Sequence, residues 1–427
     1  MIYYGKQEAQ VLLDRLAERA VMEEGEIYTA VSTTLNAIRT KGDEALKELT
    51  LRFDGTDYAA TPLMVSKEEI EAAYDAVPET QLKAIRKAIE NLTEYHEKQK
   101  DDGYTILKDG IIMAQRVRPI KRAGIYVPGG TASYPSSVLM NAIPAKIAGV
   151  KEIYMATPAK GGKLNPLTLV AANEAGVTAI FRMGGAQAIA AFAYGTETVP
   201  KVDKITGPGN AYVAMAKRQV FGTVGIDSIA GPSEIMVIAD DSANPRFVAA
   251  DLYSQAEHDV LAAAICLTTS KNLALAVEAE LARQGEELLR GDIAKASMAR
   301  YGGIIVLDTI EECVEVCNAI GPEHLELVLD DTDVDLDSIE NAGGIFIGSY
   351  SPEPLGDYLA GTNHVLPTCG TSRFSSPLGV YDFVKRSSVL CYNRERLAEV
   401  KDDVLAFAGA EGLEAHGKAV AIRFMED

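Results

Sequence analysis

The chain has 427 residues, which exceeds one ordinary domain and indicates two or three folded units. Its 47% hydrophobic and 24% charged residues are typical of globular proteins and exclude a disordered or fibrous chain. A net charge of −20 repels phosphate backbones and anionic lipids, so we expect neither nucleic acid nor a membrane as a partner.

The amino-terminal stretch and the cysteines indicate the cell compartment. MIYYGKQEAQVLLDRLAERA lacks the long apolar core of a secretory signal, and no run reaches the roughly 20 apolar residues of a membrane span. The five cysteines are odd in number and lack CxxC spacing, which argues against a disulfide framework or a thiolate zinc site. We therefore expect a cytoplasmic protein.

The first hundred residues have helical periodicity. Leu12 and Leu16 recur one turn apart, and Ser66–Glu69 has the pattern of a capping box that opens a helix. The buried stripe of a further helix is predicted at Leu82, Ile85, Ile89 and Leu92. His96 stands among polar residues near the end of that helix, so we expect it to face solvent.

Short apolar runs alternate with helical stretches from residue 124 onward. Four of them stop at Gly or Pro, namely GIYVPGG, EIYMATP, AIFRMGG and KITGPGN, and a second series is EIMVIADD, LAAAICLTT, GGIIVLD, HLELVL and GGIFIG. Strands separated by about a dozen helical residues form βαβ units, so the fold class is α/β with two parallel sheets. Ligands of such sheets bind beyond the carboxyl ends of the strands.

Two segments combine histidine with other metal-capable side chains. In SQAEHD, Gln255 and His258 stand three apart and share one face if a helix continues through them, although a polar helix end facing water explains the segment equally well. In the segment 352–368, Asp357 and His364 lie in what reads as a long loop, and loops often carry function. The role of His364 stays open.

A third segment, EGLEAHGKAV, offers Glu411 and His416, for which an exposed helix terminus is an equal explanation. A site built from Gln255, His258, Asp357 and His416 would supply only nitrogen and oxygen ligands, which suit Zn²⁺ or a similar divalent ion. These residues are far apart in sequence, so only folding can bring them together.

A nucleotide site has weaker support, because no GxGxxG opens a helix. TGPGNAY at residues 206–212 comes closest, with Gly207 and Gly209, but Tyr212 occupies the third glycine position. A tight turn without a ligand would use the same glycines. A bound dinucleotide would therefore take a non-standard pose.

GPEHLEL places Glu323 beside His324 behind a Gly-Pro corner. Neighbouring side chains on a regular strand point to opposite faces, which would separate the two. Gly321 and Pro322 can turn the backbone so that Glu323 precedes the strand, His324 begins it, and both reach one pocket. The alternative is a surface Glu-His pair at a strand entry.

Taken in order, these motifs together with YVPGGTASYPSSVLMNAIPAKIAGV and AGPSEIMVIAD resemble the histidinol dehydrogenase family from residue 20 onward. The resemblance implies zinc-dependent oxidation of L-histidinol to L-histidine in two NAD⁺-dependent steps through an aldehyde, the last step of histidine biosynthesis. It also implies a homodimer of incomplete Rossmann-like, aldehyde-dehydrogenase-like domains. A carboxyl-terminal segment would cross to the partner chain, so that His416 completes the partner's zinc site.

The resemblance also implies residue roles. The implied zinc ligands are Gln255, His258, Asp357 and His416, and the implied acid-base pair is Glu323 and His324. The implied substrate contacts are Ser233, Gln255, His258, His324, Asp357, Glu411 and His416, and the implied NAD⁺ contacts are Tyr126, Gln187 and Asn210. The expected domains are a helical arm 1–22, a discontinuous α/β domain 23–125 and 234–378, a nucleotide domain 126–233, and a helical tail 379–427.

The chemistry explains why two proton acceptors would lie together. His324 would take a proton from the alcohol, and Glu323 would take one from water as the aldehyde is hydrated. A covalent mechanism would instead need an activated cysteine thiolate, and Cys369 is the candidate because it is the only cysteine predicted to lie in a loop. The alternatives are a zinc hydrolase, a dehydrogenase of a related amino alcohol, and a non-catalytic small-molecule binder; the divalent ion could also be Mn²⁺.

Overall fold

A computed structural model describes residues 1–19, 25–129, 134–330 and 335–425, so the boundary expected between residues 22 and 23 lies outside the described residues. Contacts divide the chain into a larger unit, Met1–Gln99 with Ile120–Phe383, and a smaller unit, Lys100–Pro119 with Val384–Asp427. No helix in the described ranges is both long enough and apolar enough to cross a lipid bilayer.

Helices and strands alternate through most of the described residues of the two units. The helices are α1 Lys6–Arg19, α2 Glu26–Lys41, α3 Asp43–Asp54, α4 Lys67–Ala76, α5 Glu79–Glu97, α6 Pro135–Ala148, α7 Pro166–Ala175, α8 Gly185–Tyr194, α9 Ala211–Val220, α10 Pro245–Ala256, α11 Lys271–Gln284, α12 Gly291–Tyr301, α13 Ile310–Ile320, α14 Glu353–Tyr358, α15 Arg394–Ala410 and α16 Glu414–Ala421. The strands are β1 Ile2–Tyr4, β2 Tyr104–Lys108, β3 Ile111–Pro119, β4 Arg122–Tyr126, β5 Glu152–Thr157, β6 Ala179–Arg182, β7 Lys204–Thr206, β8 Gly225–Ile226, β9 Glu234–Ala239, β10 Ala263–Thr268, β11 Gly302–Val306, β12 His324–Val328, β13 Gly344–Ile347 and β14 Val384–Tyr392.

The six-stranded sheet is parallel and has the order β1-β11-β10-β9-β12-β13. Met236 of β9 packs toward α1 and α13, whereas Val237 packs toward α10 and α11. Helices cover both faces, and for this reason the strands read as continuous apolar runs. The five strands predicted between residues 234 and 347 are confirmed, while β1 is too short for a sequence signal.

The five-stranded sheet is also parallel, with the order β6-β5-β4-β7-β8. Ile125 of β4 packs toward α4 to α7, and Tyr126 packs toward α2, α3, α8 and α9. The four strands predicted between residues 124 and 206 are confirmed. Because the chain turns back after β6, the direction of strand addition reverses between β4 and β7.

The packing of helices α2 to α5 differs from the expected domain boundaries. We grouped residues 23–125 with 234–378, but Leu35 of α2 and Leu92 of α5 lie in the two cores of the five-stranded sheet. The apolar stripe of α5 was evident in the sequence, whereas the sheet that these helices cover depends on tertiary contacts.

The smaller unit contains an antiparallel sheet with the order β14-β3-β2, followed in sequence by α15 and α16. We expected the tail 379–427 to be helical, yet β14 precedes its helices. Asp109 and Gly110 join β2 to β3, and Gly110 has φ 71°. An Asp-Gly pair between strands is a strong hairpin signal, so this hairpin could have been predicted.

His96 is buried, so the expectation that it faces solvent was wrong. Its Nδ1 lies 2.8 Å from Gln99 Oε1, and its Nε2 lies 3.3 Å from Asn363 Nδ2. Asn363 comes from a distant segment of the larger unit, and no local pattern around His96 reveals that contact.

Candidate active site

The Gly-Pro corner joins α13 to β12. Gly321 has φ 63°, the left-handed conformation in which helices commonly end. The turn leaves Glu323 before the strand and makes His324 the first residue of β12. Both side chains are buried, and Glu323 Oε2 lies 3.7 Å from His324 Nδ1. The side chains of the Glu323–His324 pair are therefore buried next to each other.

The Glu323–His324 pair lies at the amino edge of the six-stranded sheet. Strands β9 and β12 begin there, and the strand register pairs His324 with Ile235. Helix α10 starts beyond the carboxyl end of β9 and returns to the amino edge, where Gln255 lies in its last turn. Gln255 and the Glu323–His324 pair therefore lie where helices end and strands begin. The ligand sites of most parallel sheets lie instead at the opposite edge, where the strands end.

The main chain of Glu234 holds both members of the pair. Its N–H donates to Glu323 Oε2 at 2.9 Å, and its carbonyl oxygen lies 2.8 Å from His324 Nδ1. Because a carbonyl oxygen can only accept, Nδ1 carries the proton and Nε2 presents a lone pair. One residue of β9 thus sets both the tautomer and the orientation of the imidazole.

Burial sets the charge of the pair. Loss of water around the imidazole lowers the pKa of His324 to about 4, so the ring is neutral at pH 7. Burial, followed by the nearby Glu234 carboxylate, raises the pKa of Glu323 well above its ordinary value. The site therefore holds an imidazole that is neutral at pH 7 beside a carboxyl group that loses its proton at a higher pH than an exposed glutamate does.

Two acids of α14 lie near His324. Glu353 Oε1 is 3.5 Å from His324 Nε2, and ligand atoms of His324, Glu353 and Asp357 all lie within 4.8 Å of one another. We expected the segment 352–368 to be a loop, but Glu353–Tyr358 forms a short helix. Because residues four apart share a helix face, this helix brings both acids to the pocket.

Three buried polar atoms of this cluster have no hydrogen-bond partner within the described residues. They are His324 Nε2, Glu353 Oε1 and Gln255 Oε1. The Gln255 side chain also hydrogen-bonds to Glu353, and burial, with the charge of Asp357, raises the pKa of Glu353. Buried polar atoms are rarely left unpaired, so the arrangement is suited to a cationic ligand.

His258 lies just beyond the end of α10 at Ala256, so the helix does not continue through both Gln255 and His258. The His258 N–H donates to the carbonyl oxygen of Gln255 at 3.1 Å. His258 is exposed, but the loss of some surrounding water lowers the pKa of its imidazole, while the charge of Asp357 raises it. His258 is thus within electrostatic range of Asp357 in α14.

His364, whose role the sequence left open, contacts Asp357. Its Nδ1 lies 3.4 Å from Asp357 Oδ1, and its Nε2 lies 3.3 Å from Ser137 Oγ. Burial raises the pKa of Asp357, but the hydrogen bond and charge of His364 outweigh it and lower that pKa overall. Asp357 is therefore a carboxylate at neutral pH.

The remaining candidate residues divide between the two units. Ser233 directly precedes Glu234, is half-buried, and accepts from the Ala263 N–H at 2.9 Å through its carbonyl oxygen. Glu411 follows α15 and His416 lies in α16, and both are exposed in the smaller unit.

The three residues expected to contact NAD⁺ lie at the carboxyl edge of the five-stranded sheet. Tyr126 ends β4, Gln187 lies in the first turn of α8, and Asn210 caps α9 after β7. Tyr126 Oη accepts from the Gly185 N–H at 3.1 Å. Gln187 Nε2 is buried and has no partner within the described ranges. Together they flank the reversal between β4 and β7, where parallel sheets commonly bind ligands.

The loop after β7 is fixed by its own backbone. Gly207 has φ 110°, and a Cβ there would lie 2.1 Å from the Tyr126 carbonyl oxygen, so only glycine fits. Lys217 Nζ is buried and donates to the Gly207 carbonyl oxygen at 2.9 Å, and Asp227 Oδ2 accepts from the Gly207 N–H at 2.7 Å. Backbone packing thus explains this glycine without a ligand.

The cysteines of the larger unit are thiols. Burial raises the pKa of Cys369 to about 12, so this loop cysteine is not ionised at neutral pH. The same cause raises the pKa to about 12 for Cys266, Cys313 and Cys317. These four residues therefore offer no thiolate nucleophile.

Sequence reasoning missed Glu353 and Glu234. Glu353 stands four residues before Asp357, a spacing that would have indicated a shared helix face. Glu234 is a single acid at the entry of a fully apolar strand, which is a signal for a buried, partnered charge.

Two parallel sheets with helices on both faces, and a buried imidazole among acids at one sheet edge, define an α/β enzyme equipped for proton transfer. The family model described as histidinol dehydrogenase matches residues 17–424. A histidinol dehydrogenase of Caldanaerobacter subterraneus subsp. tengcongensis is 53% identical over 416 residues, covering 97% of each chain. The chain belongs to the histidinol dehydrogenase family and is an NAD-dependent dehydrogenase.

Solved structures agree with this family and fold. The crystal structure of histidinol dehydrogenase from Elizabethkingia anophelis has a TM-score of 0.92 and 39% identity, covering 99% of this chain and 97% of that one. A putative methylmalonate-semialdehyde dehydrogenase from Sinorhizobium meliloti has a TM-score of 0.50 and 14% identity, with 91% and 90% covered, and shows the fold alone. The non-catalytic and hydrolase alternatives do not fit this membership.

Proposed function

We propose that the chain oxidises L-histidinol to L-histidine through an aldehyde held in the site, with two NAD⁺ consumed per substrate. The observation that carries this proposal is the buried, neutral His324, whose free Nε2 faces the acids of α14 while Glu323 lies beside it. Two oxidations at one carbon need two proton acceptors. NAD⁺ would supply the hydride acceptor for each.

His324 would act as the base for the alcohol. Its Nε2 lone pair would take the hydroxyl proton, while Nδ1–H remains bound to the Glu234 carbonyl oxygen. The imidazolium formed would be stabilised by the Asp357 carboxylate, because ligand atoms of the two residues lie within 4.8 Å of each other. The low pKa of His324 keeps the free base available at neutral pH.

Glu323 would act on the aldehyde. An aldehyde must add water before it can lose a second hydride, and the ionised carboxylate would take a proton from that water. Burial and the neighbouring Glu234 raise the pKa of Glu323, which makes its carboxylate a stronger base than an exposed one.

The donor set fits a divalent ion such as zinc. We propose Gln255, His258 and Asp357 as ligands, with His416 as the fourth; the unpaired Gln255 Oε1 and the ionised Asp357 support this choice. His324 stays outside the set because its Nε2 is needed as the base. When bound, Zn²⁺ would hold the imidazole and amino nitrogens of the substrate and orient its alcohol carbon.

The other roles follow the same geometry. We propose Tyr126, Gln187 and Asn210 as NAD⁺ contacts, because they flank the β4–β7 reversal and Gln187 Nε2 lacks a partner in the described ranges. The proposed substrate contacts are Ser233, Gln255, His258, His324, Asp357, Glu411 and His416. The NAD⁺ pose remains non-standard without a GxGxxG.

We also propose a cytoplasmic homodimer in which the tail 379–427 supplies Glu411 and His416 to the partner's site. Exposed apolar side chains in the smaller unit support a covered surface there, since Leu107 is 72% and Leu390 is 69% exposed. His416 is exposed in its own unit and therefore available as a ligand elsewhere.

A stoichiometric assay tests the function. With purified protein, we expect two NADH per L-histidinol, L-histidine as the product, and little release of aldehyde. The absorbance of NADH and chromatography of the product measure this. Turnover of a related amino alcohol in preference to L-histidinol would overturn the substrate assignment.

Removal of the metal should abolish turnover. Dialysis against a chelator is expected to remove about one Zn²⁺ per chain, and added Zn²⁺ should restore activity. Asp357→Ala should weaken zinc binding by more than the roughly 10- to 100-fold typical for loss of an outer partner. Metal analysis by mass spectrometry checks both, with Glu257→Gln, next to His258, as the matched control. Full zinc content in Asp357→Ala would refute this ligand.

A further inference from the structure

A buried ion pair lies behind the Glu323–His324 pair. Arg19, in the last turn of α1, pairs with the Glu234 carboxylate, and their side chains are 3% and 8% exposed. Arg19 Nη1 donates to the Leu261 carbonyl oxygen at 2.6 Å, and its guanidinium lies 5.5 Å from the Tyr301 ring centroid. Glu234 Oε2 also accepts from the Cys369 N–H at 3.1 Å.

The Glu234 side chain and main chain have different partners. The main chain binds both Glu323 and His324, whereas the side chain binds Arg19 and the Cys369 N–H. Glu234 is the first residue of β9, and the ends of strands and helices are less firmly held than their centres. A fixed side chain therefore fixes the peptide groups that orient the pair.

Stability alone does not account for this ion pair. Replacing a buried ion pair with apolar residues of similar volume is often neutral or stabilising, because two charges must be taken out of water. Removing one partner instead leaves a buried charge alone and disturbs its surroundings. Loss of Arg19 is therefore expected to displace the Glu234 side chain, its direct partner.

We propose that Arg19 is a positioning residue for the Glu323–His324 pair and that it acts through the Glu234 side chain. The inference rests on the proposed function of that pair. Among the described residues, the contacts of Arg19 are with Glu234, Leu261 and Tyr301, and none of these three belongs to the proposed substrate contacts. The Arg19 guanidinium holds the Glu234 carboxylate in place, and this fixes the main chain at the start of β9. That main chain in turn orients Glu323 and His324 through its N–H and its carbonyl oxygen.

Arg19→Met and Arg15→Met form a matched pair. Arg15 lies one turn earlier on α1 and donates to the Arg300 carbonyl oxygen at 3.0 Å, so it also ties α1 to the main chain, but it does not touch Glu234. Arg19→Met should lower kcat for both oxidations by about 10- to 100-fold, the cost of a displacement near 1 Å. Arg15→Met should leave kcat unchanged. KM for NAD⁺ and zinc content should not change in either variant.

A double-mutant cycle separates positioning from structure. Arg19→Met/Glu234→Gln should have a higher kcat than Arg19→Met, because the neutral amide leaves no unpaired charge and can still accept from Cys369. Arg19→Lys, which keeps the charge, should retain most of the kcat and serves if Arg19→Met folds poorly.

Two results would overturn this inference. One is an equal kcat loss in Arg19→Met and Arg15→Met at equal folded fraction, and the other is a double variant whose loss is the product of the single losses. If His324→Asn is inactive while Arg19→Met is fully active, only this inference fails. If His324→Asn is itself active, the proposed function fails.

Discussion

Replacing His324 with asparagine is expected to lower kcat for both oxidations by about 10³-fold, within the range that general bases contribute. The asparagine amide can still donate to the Glu234 carbonyl oxygen in place of Nδ1–H, but it has no basic lone pair in place of Nε2. The change therefore removes the basic nitrogen and keeps the hydrogen bond to the Glu234 carbonyl oxygen. NADH formation from L-histidinol and from the aldehyde, measured separately, gives the two rates.

His96→Asn is the matched control for the loss of a buried imidazole. His96 is also buried and hydrogen-bonded, to Gln99 and Asn363, but it lies outside the cluster around His324. We expect this control to cost stability while leaving kcat of the folded fraction unchanged. Retention of more than about a tenth of kcat in His324→Asn would contradict a role as general base, which is worth at least about 10²-fold.

Replacing Glu323 with glutamine should separate the two oxidations. Oxidation of aldehyde to acid is expected to fall by about 10²- to 10³-fold, because glutamine cannot take a proton from water. Oxidation of alcohol to aldehyde should fall much less, since it depends on His324. The alcohol step in the same variant is the internal control for folding and substrate binding, and equal losses on both steps would refute this division of labour.

The pH dependence of the aldehyde step gives a second test of Glu323. Burial raises its pKa, so the carboxyl group is protonated at low pH and the active carboxylate appears as the pH rises. In the wild type, the rate of aldehyde oxidation should therefore rise with pH as the Glu323 carboxyl group loses its proton. Glu323→Gln should lose this rise, and a persistent rise in the variant would assign it to another group.

Much of the fold was predictable because it depends on local patterns. The strands of both parallel sheets are apolar runs bounded by Gly and Pro, and the capping box at Ser66 and Glu69 forms as expected. The arrangement of Glu323 and His324 could also be predicted from the sequence, because Gly321 and Pro322 indicate a turn immediately before them. These features need few long-range contacts.

The remaining features depend on tertiary contacts. Arg19 lies in an ordinary helix end, and nothing near it shows that its partner stands 215 positions further along the chain. Glu353 became part of the site only because the segment after Pro352 forms a helix. His96 was assigned to solvent from its polar neighbours, whereas Asn363 covers it in the folded chain.

The site lies at the amino edge of the six-stranded sheet, and this location makes its electrostatic potential more negative. Helices α10 and α13 both end there, at Ala256 and Ile320, and the carboxyl end of a helix carries roughly half a negative charge. These two macrodipoles add to the acids of α14 and favour a protonated amine or a divalent cation over an anion. In the proposed reaction the product would carry a carboxylate in place of the alcohol, and the same field would repel it and assist its departure.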